Sequence, residues 1–161
     1  MSMEEIIKCF QELNKPTWVA SVRLGTSKIA ETNVANPHQL PKDYPAPRDV
    51  LRQHTAKQCL FRGGWGYSID DAVEVLEFDP EINPDQRFDG VSLEYAFVDK
   101  RVREELIHAP NARRFDHLSW QVIEQSLHER DGIHYDRLLI EITADDEIYL
   151  TEYWFNISDF Y

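Results

Sequence analysis

Residues 131–142 read Asp131-Gly132-Ile133-His134-Tyr135-Asp136-Arg137-Leu138-Leu139-Ile140-Glu141-Ile142, and the class of the fold turns on them. Asp-Gly is a turn dipeptide, and Tyr135 to Ile142 carries a strand signal whose Leu138-Leu139-Ile140 run predicts burial on both faces. Upstream, Asp116 is a good N-cap, and Trp120, Ile123 and Leu127 recur at helical spacing, so a helix is expected through Glu129. Downstream, Thr143 to Asp146 has the form of a capping box, which makes Asp145 to Phe155 an expected closing helix.

Moving outward, residues 3–14 read as an amphipathic helix with Met3, Ile6, Ile7, Phe10 and Leu13 on one face, ended by Pro16. Thr17 to Leu24 alternates as a strand sheltered on one side. Residues 26–48 hold Pro37, Pro41, Pro45 and Pro47 and are expected as an irregular loop, either functional or packed down by Leu40 and Tyr44. Asp49 to His54 suggests a helical turn, and Lys57 to Phe61 is extended. Ser68 to Asp71 has capping-box form, yet the β-branched run Ala72 to Phe78 favours a strand, and a second acidic loop follows over 79–90. Val91 to Phe97 alternates as a strand, with a helix from Asp99 through Ile107. The competing reading is one helix from Ser92 to Ile107 with a Tyr95, Val98, Val102, Leu106 stripe. Together these predict an α+β class: a single domain over residues 1–161, with a mixed sheet of about four strands and helices packed on it.

An apolar content of 42% is that of a folded chain, even at a net charge of −12. The charge is partitioned: residues 69–99 carry ten acidic side chains and one basic, residues 131–161 eight and one, and Lys100 to Arg114 between them five basic against two acidic. So acidic a chain lacks the clustered Lys and Arg that grip phosphate backbones, which argues against direct nucleic-acid binding and for a basic protein partner. Lys100 with Glu104 and Arg101 with Glu105 are expected to pair along a solvated helix face. Glu4, Glu5 and Lys8 interrupt the start where a signal peptide needs an apolar core, and no uncharged run approaches the roughly 18 residues of a membrane span. Cys9 and Cys59 fit no metal or redox spacing, so a cytoplasmic chain with free thiols is expected.

The densest motif is Arg62-Gly63-Gly64-Trp65-Gly66-Tyr67, three of six glycines beside one of four tryptophans. It lacks the Lys-Ser/Thr pair of a P-loop, the G-x-G-x-x-G spacing and the second glycine of a nucleophile elbow. Two readings follow: a bulge or tight turn that lays Trp65 across the core edge, or a ligand loop in which Arg62, Gly63, Gly64, Trp65 and Tyr67, with Arg101 projecting towards them, read an anionic group. The six histidines form no H-E-x-x-H or other compact set, so no catalytic residue, metal site or cofactor is expected. Asp145, Asp146 and Glu147 beside Tyr149 and Tyr153 combine steering charge with aromatic anchors. The favoured function is a small acidic protein-binding domain, immunity- or inhibitor-like, that engages a basic partner through that surface. The alternative is a small enzyme or anionic-ligand domain with a cleft beside the glycine cluster.

Overall fold

The computed structural model describes residues 20–30, 33–44, 61–76, 90–111 and 113–160. Its frame is three long antiparallel strands, β4 (Leu118–Arg130), β5 (Ile133–Ala144) and β6 (Glu147–Asn156). Three short strands extend them: β1 (Ala20–Arg23), β2 (Phe61–Gly63) and β3 (Val73–Val75). The order across the sheet is β1-β4-β5-β6-β3-β2, and only the β3–β6 pair is parallel. Among the described residues one helix, α1 (Gly90–His108), packs on one face, and 3-10 turns occupy Ile69–Asp71 and Ser158–Phe160.

The Asp131-Gly132 turn forms as its sequence demands, with φ of 55° and 77° joining Arg130 to Ile133, the pattern of a two-residue hairpin. From it, β5 alternates: Leu138, Ile140, Ile142 and Ala144 meet Leu93, Phe97, Val98, Val102 and Leu106 of α1 in the main core. Leu139 packs on the other side with Ile123, Leu150 and Ile29. Both faces of β5 are therefore covered, as the Leu138-Leu139-Ile140 run predicts.

The sheet has six strands among the described residues, against the expected four, because two stretches expected as helices are strands. In β4 the register slips between Val122 and Glu124. That bulge admits one unpaired residue, so Trp120 and Leu127 lie with the main core while Ile123 lies with the opposite cluster. The 120, 123, 127 spacing that mimics a helix is thus a strand whose phase shifts once. In β6 the capping-box residues close a hairpin instead: Asp145, at φ 52°, and Asp146 connect the paired Ala144 and Glu147. Alternation then sends Tyr149, Tyr153 and Phe155 into the core.

The third correction concerns residues 91–97, which belong to α1 and not to a strand; the single-helix reading holds. Its buried stripe carries Glu94, Arg101 and Glu105 among the apolar residues, which blurs the helical period in the sequence. The strand expected over 17–24 is seen as β1, and that over 72–78 as β3, in their described parts. Residues 33–44 form no regular element beyond a Val34–Leu150 bridge, and Leu40, buried, and Tyr44, against Trp65 and His108, hold them down. The helix expected over 3–14, the turn over 49–54, both cysteines and residues 79–89 of the second acidic loop lie outside the described residues. No helix among the described residues is long and apolar enough to cross a membrane.

Leu138 is fully buried beneath α1. Leu138→Ala is expected to cost about 2–5 kcal/mol, read as a lowered urea midpoint at unchanged slope.

Candidate functional site

The glycine cluster is the connection between β2 and β3, whose register pairs Phe61 with Val75 and Gly63 with Val73. At Gly64 a Cβ would lie 2.2 Å from Asp71 Oδ1 and 2.3 Å from the Asp71 carbonyl oxygen, so no side chain fits. Gly66 has φ 86°, donates its N–H to Asp71 O at 2.7 Å and accepts from Trp154 N at 2.7 Å. The loop is thereby folded on itself and stitched to β6, a geometry only glycine enters without strain.

What the loop delivers is Trp65 and Tyr67. Tyr67 donates its hydroxyl to Glu105 Oε1 at 2.8 Å and accepts from Leu40 N at 3.0 Å. Glu105 Oε2 accepts from Asn36 Nδ2 at 2.9 Å and from the Tyr153 hydroxyl at 2.8 Å. Burial pushes the Glu105 carboxyl up to about 7, although these three donors and the Arg101 charge pull the other way. Burial, and after it the same carboxylate, holds the Tyr67 and Tyr153 hydroxyls well above the ordinary tyrosine value, so both are donors at neutral pH.

Arg101, one turn earlier on α1, is 1% exposed and lies between the rings of Trp65, at 5.4 Å, and Phe97, at 5.3 Å. Its guanidinium nitrogens make no hydrogen bond, and Glu104 is 3.8 Å away. The structure therefore brings Trp65, Tyr67 and Arg101 together around Glu105. It sends Arg62 elsewhere, into a two-point pair with Glu74 on the exposed side (2.7 and 2.6 Å). A small recess of about 350 Å³ adjoins the cluster, with Asn36, Gln39, Tyr67, Thr151 and Glu152 in its wall. Glu105, Asn36 and Tyr153 complete the arrangement and escape a reading that pairs Glu105 with Arg101 on a solvated face. Positions 101 and 105 each follow a stripe residue, Val98 and Val102, by three, but an i,i+4 pair of opposite charges on a helix is usually solvated, so the spacing alone does not report the burial.

A second buried carboxyl, Asp136 of β5, accepts from Gln125 Nε2 and faces Glu94 of α1. Burial raises it too.

The acidic and aromatic residues of the last hairpin divide by strand alternation. Asp145 accepts from the backbone N–H groups of Asp116 and His117 at 3.0 and 2.8 Å, fastening the start of β4. Asp146, its side chain 93% exposed, meets Arg113 at 3.1 Å, and Glu147 holds His38 Nε2 at 2.9 Å. Tyr149 and Tyr153 are 5% and 0% exposed and belong to the core, so they present no aromatic anchor to a partner. At the far end of the sheet, exposed carboxylates gather differently. Asp70 bonds Arg130 at 2.9 Å, which brings the Ile69–Asp71 turn to the tip of the β4–β5 hairpin, where Asp131 lies; the Ile157–His134 hydrogen bond brings Asp159 to the same end.

Among the described residues no group of His, Cys, Asp and Glu is placed to hold a metal ion. Searches against protein-family models, curated proteins and solved structures found no match to this chain.

A carboxyl that binds its proton more tightly when folded stabilises fully below its unfolded value, 4.5 for Glu105, and loses that contribution as the pH rises through about 7. The groups with lowered values, Glu74, Asp99 and Glu141, act below that window, while His128, also lowered, acts within it and in the opposite sense. Comparing Glu105→Gln with the parent isolates the Glu105 part. The parent is expected to lose more stability than the variant between pH 5 and pH 8 in chemical denaturation; equal losses would show that Glu105 does not titrate there.

Proposed function

We propose that this chain is a protein-binding domain of the immunity or inhibitor type, which engages a basic partner, and that its contact surface is the acidic end of the sheet around the β4–β5 hairpin. The observation that carries the reading is the convergence of Asp70, Asp131 and Asp159, all exposed, at that end, with Arg130 the basic side chain among them. The net charge of −12 supports it, because such a surface raises the encounter rate with a cationic partner and suppresses binding to acidic ones. The proposed surface differs from the Asp145–Tyr153 segment, whose tyrosines are core.

A second reading is favoured by one observation: the buried Arg101 guanidinium without hydrogen bonds beside Trp65. In that reading the Glu105 cluster is a small-ligand site that supplies a cation for an anionic group. A thermal-shift screen with nucleotides, sugar phosphates and carboxylates tests it, and a shift abolished by Arg101→Met is the supporting result.

For the main reading, the tagged chain is used to capture proteins from its native cell at low ionic strength. A basic protein is expected to be retained by the parent, to elute as salt rises towards about 0.5 M, and to be lost with Asp131→Lys and Asp159→Lys combined. Recovery of the chain alone, or equal retention by the doubly reversed variant, would contradict the proposal.

A further inference from the structure

A large opening lies at the other end of β4. It is a groove of about 880 Å³ between the last turns of α1, the segment leading into β4, and the first residues of that strand. The 13 residues of β4 place it roughly 40 Å from the acidic hairpin tip. Two features set this groove apart from the rest of the surface.

The first is its apolar wall. Leu106, Phe115 and Leu118 reach it from the main core, and Ile107 stands on its rim 67% exposed. Among the described residues only Val34 is another exposed large hydrophobic, at 36%. The second is its charge. Arg103, Arg113 and Arg114 line it on a chain of net charge −12, and each has a carboxylate near it: Asp99 for Arg103 at 3.3 Å, Asp145 and Asp146 for Arg113, and Asp116 for Arg114. Asp145 is already committed to the backbone of Asp116 and His117. Arg113 is laid over the Phe115 ring at 4.4 Å, with Asp146 at 3.1 Å, so its guanidinium sits where the apolar wall ends. Arg114 is 93% exposed and only 3.6 Å from Asp116. Surface pairs of this kind contribute little and exchange readily for a better-placed carboxylate, whose two oxygens match the guanidinium fork.

We infer that this groove is a binding site for a small amphiphilic anion, with an apolar body laid along Leu106, Ile107, Phe115 and Leu118 and a single carboxylate or sulfonate head taken by Arg113 and Arg114. The volume is that of a small-molecule site, and the exposed Arg114, held by a 3.6 Å surface pair, with Arg113 over the Phe115 ring, favours an anionic head over a cationic or neutral one. The site is separate from the acidic end, so it stands or falls independently of the protein-binding reading.

The test uses the intact chain and 8-anilinonaphthalene-1-sulfonate, an apolar monoanion whose fluorescence rises on binding, with decanoate and decyltrimethylammonium as competitors. Near-UV circular dichroism run alongside separates a folded binder from a loosened core, which also takes up the dye. Saturable binding is expected, displaced by decanoate and not by decyltrimethylammonium. Arg114→Glu, at a fully solvated position, is expected to weaken it at least tenfold, Arg113→Ala similarly, and Ile107→Ser about fivefold, all with unchanged circular dichroism. Absence of saturable dye binding, displacement by both surfactants alike, or undiminished binding by Arg114→Glu and Ile107→Ser in folded protein would each overturn the inference.

Discussion

The structure depends on one carboxyl. Glu105 is buried between α1 and the sheet and gathers donors from three separate parts of the chain: Asn36 from the irregular segment, Tyr67 from the glycine loop and Tyr153 from β6. Burying a carboxyl in an apolar core is costly unless its acceptor positions are filled, and here both oxygens are. The consequence is mutual. α1 cannot seat its apolar face on the sheet without placing Glu105 inside, and Glu105 cannot stay there unless the loop and the irregular segment supply their donors. The glycines that bend the loop tightly enough for Tyr67 to reach are part of the same constraint. So is Leu40, whose N–H fills the acceptor side of the Tyr67 hydroxyl.

The same interface explains how charge is distributed along the molecule. With Arg101, Glu94 and Asp136 also buried, much of the charge on α1 and β5 is internal. Among the described residues, Asp70, Asp131 and Asp159 lie with Arg130 at the β4–β5 hairpin end, and Arg103, Arg113 and Arg114 lie at the opposite end with Asp99, Asp116, Asp145 and Asp146.

The legibility of this fold in the sequence follows physical lines. Where one local rule dominates, the residues say what they do: Asp131-Gly132 turns, the Leu138-Leu139-Ile140 run is covered on both faces, and the glycine cluster makes the tight β2–β3 connection. Where two rules compete, the wrong one can win. A bulge at Ile123 gives β4 a helical spacing, a capping-box pattern masks the alternation Tyr149, Tyr153, Phe155, and the Val91, Leu93, Tyr95, Phe97 alternation, with the buried Glu94 between, makes the first turns of α1 look like a strand. Of the candidate site, the approach of Arg101 to Trp65 was readable. The burial of Glu105 was not, since an i,i+4 charge pair on a helix is usually solvated and nothing local in the sequence reports that Asn36, Tyr67 and Tyr153 converge from far along the chain.

The most direct test of this account is a carbon-13 nuclear magnetic resonance titration of the side-chain carboxyl of Glu105, assigned by its loss in Glu105→Gln. The structure predicts a midpoint near pH 7 with slow solvent exchange of the Tyr67 and Tyr153 hydroxyl protons. A midpoint near 4.5, the value of a solvated glutamate, would contradict it and would place Glu105 outside the core on which the rest of the arrangement hangs.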